Sequence, residues 1–195
     1  MLKRSRHQDG VTLIELMIGV ALIGLLTLMA VPAFQTFMRN TEIRNTGDSV
    51  INGIQVARTE AIRRNVQVEI VFGPGTGWTI QIPSTGEKVE EHPDKVGTGT
   101  VTMVMNDNDN DWAADDAADR VTFNGMGWRV NNADASPTIS RVDIHNTAAG
   151  KCQHDEKGTL RCLRVLVTTG GASRMCDPSV DPDKFASDPR ACPKT

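Results

Sequence analysis

The chain has 195 residues and a formal net charge of −3, and 39% of its residues are hydrophobic. That length suits one domain with an appendage, and a charge this small and this acidic gives no argument for wholesale nucleic-acid binding. The apolar residues are concentrated: from Leu16 to Phe34 only Thr27 is polar, which excludes a polytopic membrane protein and an evenly patterned cytosolic globule.

Residues 1–10, MLKRSRHQDG, set Lys3, Arg4 and Arg6 against Asp9. Positive charge beside an apolar run keeps that end cytoplasmic and sends the remainder across the membrane. A secretory signal is cut after its apolar region at a small-residue site. No such site lies between Ala30 and Phe37, whereas Gly10 precedes the run. Glu15 stands inside the apolar stretch that begins at Val11. A carboxylate at bilayer depth costs about 2.5–3.5 kcal/mol, unless it sits at the headgroup boundary or meets a cation. Cleavage after Gly10 creates such a cation, the α-amino group of Val11, on the same chain or on a neighbouring one.

Gly10-Val11-Thr12-Leu13-Ile14-Glu15, behind a short basic leader, resembles the type IV pilin family. The resemblance implies that a prepilin peptidase cuts between Gly10 and Val11 and N-methylates Val11. It also implies that Glu15 recruits and registers subunits in a filament. Val11 departs from the family, which usually has Phe there. Pro32 lies within the run. A proline costs about 3 kcal/mol inside a water-exposed helix but is tolerated in a membrane or a packed bundle. Pilins carry a proline at this place, and the helix is expected to kink or loosen there.

Beyond Pro32, Ile43, Val50, Ile54, Ala57 and Ala61 recur at helical spacing, with Ile51 and Ile62 widening the stripe. One helix is predicted from about Val11 to Arg64, roughly 80 Å long at the α-helical rise. Residues 11–38 form its transmembrane or filament-core half and residues 39–65 its amphipathic half. The stretch from Gln55 to Asn65 is similar to the L-A-R-S-E-A-I-x-R segment of the minor pilins FimT and FimU and the pseudopilin GspH. That likeness implies a β-rich domain after it.

Residues 66–195 read as that domain. Val66–Phe72 alternates and ends at Gly73-Pro74-Gly75, and Trp78–Ile82 follows. Further strands are predicted at 100–105, 121–124, 127–131, 138–145, 160–168 and 172–176. Short strands between Gly, Pro, Asn and Asp turns indicate antiparallel sheet, so the class is α+β, a long N-terminal helix packed on a C-terminal β-domain, the pilin fold.

Within 106–119, Asp107, Asp109, Asp111 and Asp115 have part of a calcium-loop spacing. Trp112 replaces the turn glycine and Ala118 the bidentate Glu, so an Asx-rich turn is the better reading. The four cysteines, Cys152, Cys162, Cys176 and Cys192, cluster in the last quarter. They read as two disulfides in an oxidising compartment. The sequential pairing, Cys152–Cys162 and Cys176–Cys192, is the simplest, with the two other pairings open. The Pro-rich tail after Asp177 cannot order itself by burial. The disulfides staple a C-terminal region, 152–192, and the pinned tail after Asp177 resembles the D-region of type IV pilins, a surface there for subunit contacts or ligands.

His7, His92, His145 and His154 fall in unrelated contexts, and no nucleophile elbow or phosphate loop is present. No enzyme activity, cofactor or metal is predicted. The resemblance implies a minor pilin that primes or caps a type IV pilus, serving twitching, adhesion or DNA uptake. Its partners would be the major pilin, other minor pilins, prepilin peptidase and the inner-membrane assembly platform. It would cross the inner membrane once, leader cytoplasmic and domain periplasmic, and reach the cell surface in a pilus. One alternative is a GspH-type minor pseudopilin of type II secretion. Another is a FimT-like DNA-binding protein of natural transformation. In such proteins a G-R-x-R loop binds DNA; the matching stretch here, Gly171-Ala172-Ser173-Arg174, keeps one Arg, which Arg161, Arg164 and Arg190 would supplement.

Overall fold

The structure is a computed structural model describing residues 11–73, 75–94, 100–106, 118–146, 150–154, 158–184 and 187–193, without the side chains of Met29, Pro32 and Ala33. It divides into two units, Met1–Phe37 and Met38–Thr195.

Helix α1 runs Leu13–Arg64, continuous through position 32. Its start is built by Thr12: the Glu15 amide donates to Thr12 Oγ1 at 3.4 Å, and the Leu16 amide to Thr12 O at 3.2 Å. Thr12 is therefore the N-cap, with Glu15 in the first turn, where the helix dipole favours a carboxylate. The end is a left-handed cap. Asn65 has φ 54, its amide donates to Ile62 O, and the Val66 amide donates to Ala61 O. This reciprocal pair satisfies the last carbonyls. It also explains why the first strand starts later than its alternation suggests, because Val66 and Gln67 belong to the helix exit.

Nine strands follow in the second unit: β1 Val68–Phe72, β2 Trp78–Ile82, β3 Glu87–His92, β4 Val101–Asn106, β5 Arg120–Phe123, β6 Arg129–Val130, β7 Arg141–Asn146, β8 Leu163–Val167 and β9 Ser173–Cys176. They form two antiparallel sheets, β3-β2-β1-β5-β6 and β4-β7-β8-β9. Eight of the nine answer to predicted strands. β3 does not: Glu87-Lys88-Val89-Glu90-Glu91-His92 has one apolar residue and exists because it pairs with the free edge of β2. A charged edge strand discourages further pairing.

The core lies between the second half of α1 and both sheets. Ile43, Val50, Ile54, Ala57 and Ala61 are fully buried, in one cluster with Ile70, Ile80, Phe123, Val142, Ile144 and Val165. Ile62 departs from the expected stripe and is 49% exposed. Two helix glycines allow the close approach. A Cβ on Gly53 would come within 2.9 Å of Ile70 Cδ1 and Trp78 Cε2, and one on Gly47 within 2.8 Å of Met175 Cε. Gly53 thus meets the first sheet and Gly47 the second. Trp78 Nε1 donates to Ser49 Oγ at 3.1 Å, satisfying the buried indole.

Arg129 ties the sheets together. Its Nη1 donates to Ile139 O and to Val167 O, each at 3.1 Å. Arg58 joins the helix to the turns: its Nε donates to Gly127 O at 2.9 Å. Gly171, at φ +76, passes so close to Gly127 O that no Cβ fits.

Candidate functional site

In the first unit, the described helix side chains from Leu16 to Leu28 are apolar apart from Thr27. Val11, Leu13, Leu22, Leu26, Leu28 and Phe34 are all exposed. The polar Thr27 bonds back to Gly24 O at 2.8 Å, so it presents no unsatisfied group. A helix with no polar face is stable only inside a bilayer or among other helices. Among the described residues no helix is long and apolar enough to cross a membrane. The described side chains from Leu13 run unbroken only to Leu28, roughly 24 Å at the α-helical rise, against about 30 Å of hydrocarbon. The cleavage site at Gly10 and the calcium candidates Asp107, Asp109, Asp111 and Asp115 lie outside the described residues. Ala118, where a calcium loop carries Glu, is buried in the core.

Both disulfides are sequential. Cys152–Cys162 has a Cα–Cα distance of 5.4 Å and Cys176–Cys192 of 5.0 Å. The second straps the tail to β9. The Asp177 amide donates to Arg190 O at 2.7 Å, and Asp177 pairs with Ala191 in a parallel bridge. Arg174 Nη2 donates to Pro189 O at 2.8 Å and to Ala191 O at 3.1 Å. Arg190 Nη2 binds Asp188 Oδ2 at 2.8 Å. The side-chain hydrogen bond from Arg190 pulls the Asp188 carboxyl down to about 2.

The four arginines expected to bind DNA are therefore not a free set. Arg174 is spent on tail carbonyls and Arg190 on Asp188. Arg164 Nε lies 2.7 Å from Asp143 Oδ1. Arg161 alone among them has no side-chain partner among the described residues, and its amide donates to Asn40 Oδ1 at 3.0 Å. A shared phosphate surface from these residues would require breaking folded-state contacts.

Sequence reasoning missed the cluster that holds Arg164. On β7, Arg141 and Asp143 share the sheet face turned away from Val142 and Ile144, and β8 sets Arg164 opposite Asp143. Asp143 is fully buried and Arg141 is 1% exposed. Arg141 Nε stands 2.7 Å from Asp143 Oδ2, at an angle outside hydrogen-bond geometry, so the contact is ionic. The signal available was the strand alternation Arg141-Val142-Asp143, which puts both charges on one face. A second missed cluster is on β1 and β5. Arg120 Nε binds Asp119 Oδ1 at 2.7 Å, and its Nη1 reaches Asp134 Oδ2 at 3.1 Å and the buried Glu69 at 3.8 Å.

A sequence model of the family described as Type II transport protein GspH matches residues 46–171, the greater part of the chain. The chain belongs to the GspH family. A model of the prokaryotic N-terminal methylation motif matches residues 5–31, over the apolar helix and the segment before it. Among curated relatives, a type IV major fimbrial protein FimA of Dichelobacter nodosus is 35% identical over 95 residues, covering 49% of this chain and 53% of the relative. FimA of strain VCS1703A is 43% identical over 49 residues, 25% of this chain and 30% of that one. The chain spans about half the length, or less, of the curated relatives it matches. The type IV minor pilin FimU of Pseudomonas aeruginosa superposes with a TM-score of 0.51 at 18% identity, covering 71% of this chain and 91% of that one. That likeness establishes the pilin fold, a helix on antiparallel sheets.

Proposed function

We propose that this GspH-family chain is a membrane-anchored minor subunit of a type IV pilus, taking part in priming or capping assembly. One observation carries the reading: a methylation motif over residues 5–31 on a helix whose first half offers apolar side chains on every face. Such a helix needs a bilayer first and neighbouring helices afterwards. Processing between Gly10 and Val11 creates the Val11 ammonium beside Glu15. The pair supplies charge register between neighbouring stems, where an unpartnered carboxylate is costly. The partners on this reading are the major pilin, other minor pilins, prepilin peptidase and the inner-membrane assembly platform. The leader faces the cytoplasm and the disulfide-bonded domain the periplasm.

The test is mass spectrometry of the protein from its native host. Loss of residues 1–10, one methyl group on Val11 and two disulfides are expected together. An uncut chain overturns the reading, as does unimpaired pilus assembly by the Glu15→Ala variant.

The family model's description, Type II transport protein GspH, supports a second reading as a minor pseudopilin of a type II secretion system. Deleting the chain separates the two, since one predicts lost pili and the other lost secretion. DNA binding in transformation is the weaker third reading, because Arg164, Arg174 and Arg190 are already engaged.

A further inference from the structure

The Cys152–Cys162 loop brings Arg161 to the first helical turns of the second unit. The Arg161 amide bonds Asn40 Oδ1 at 3.0 Å, close to Met38, where that unit begins. The Leu160 amide donates to Lys151 O at 3.3 Å, so Lys151 lies beside the Leu160–Arg161 step. Arg39 and Arg44 flank Asn40 on the helix. Arg44 approaches Asp48 only at 4.0 Å, with both side chains mostly exposed. Arg39, Lys151 and Arg161 make no ion pair among the described residues, and the half-buried Glu42 has a partner of its own. No charged residue stands between Glu15 and Arg39, so Arg39 is the first charge where the apolar stem ends.

We propose that Arg39, Arg44, Lys151 and Arg161 form a cationic collar that seats the domain on anionic phospholipid headgroups while the stem is still in the membrane. The proposal rests on the membrane-anchored reading above. Long basic side chains at a helix exit reach the headgroup phosphates, and each favours an anionic surface by about fivefold. A DNA duplex suits the collar less well. Four cations release few counterions, so retention on free DNA is weak. A lipid surface instead meets a chain already tethered to it, at high effective concentration.

The experiment uses the full chain in lipid nanodiscs, zwitterionic or with about a third phosphatidylglycerol, and reads amide hydrogen exchange of residues 150–154 and 158–162. These amides are expected to exchange at least about fivefold more slowly in the anionic discs at about 0.05 M salt. The difference is expected to vanish at about 0.5 M salt. It should also vanish in the Lys151→Glu, Arg161→Glu double variant, whose β1 amides keep wild-type exchange as the check on folding. Equal exchange in both discs overturns the collar. So does equal slowing in zwitterionic discs by inorganic phosphate, which indicates a free-anion site, or by duplex DNA, which indicates a nucleic-acid site. Failure of the chain to enter any disc overturns the anchored reading itself, which separates the two failures.

Discussion

Replacing Asp143 by Ala is the sharpest test of how the second sheet holds together. The carboxylate is fully buried, with Arg141 Nε and Arg164 Nε each 2.7 Å away. Removing it takes their shared carboxylate from two guanidinium groups, one of them 1% exposed. Breaking a buried ion pair from one side costs about 3–5 kcal/mol, because the remaining charge is left desolvated and unpaired. In a chain of this size about 1 kcal/mol shifts the melting temperature by about 2–4 °C, so the loss is expected at roughly 6–20 °C. The assay is urea unfolding of the full chain in detergent, followed by emission of the buried Trp78, alongside thermal melting. Asp143→Asn, which keeps the shape and one acceptor, is expected to cost less than Asp143→Ala. A cost below about 1 kcal/mol for Asp143→Ala, within the range of exposed ion pairs, refutes the argument that this cluster organises the sheet.

Gly53→Ala gains about 1 kcal/mol of helix propensity but drives a Cβ to 2.9 Å from the Trp78 ring. Overpacking of this kind costs about 1–3 kcal/mol, so a net loss is expected in the same unfolding assay, and a gain contradicts the close-approach argument. Converting both Cys176 and Cys192 to Ser opens a loop of sequence separation 16. The expected loss is roughly 3 kcal/mol on the chain-entropy account, with earlier protease cleavage after Asp177; an uncut tail speaks against the strap. The Asp188 carboxyl is held at about 2 by Arg190, against an ordinary value of 3.8. Because the folded value is the lower one, its contribution to the strap is complete above about pH 4 and disappears as pH falls through about 2. A carboxylate NMR titration should give that midpoint in the wild type and a value nearer 3.8 in Arg190→Ala. An unshifted wild-type midpoint argues against the pair.

The sequence by itself determined the elements whose physics is local. Helical spacing from Ile43 to Ala61 named five residues that are all fully buried, because a stripe at that period has one face to hide. The turn residues placed eight strands, and cysteine order matched the two disulfides. The apolar stem was legible in the same local way, whereas the capping role of Thr12 emerged only from the structure. Tertiary structure alone decided the rest. β3 formed because β2 offered an open edge, a partner that no property of Glu87–His92 announces. Arg164 and Arg174, which look like surface cations in the chain, were captured by Asp143 and by tail carbonyls from distant segments. A charge's role depends on what folding brings within a few ångströms of it, and that distance is set by sheet register and by the strap, neither of which is written in the residues around it.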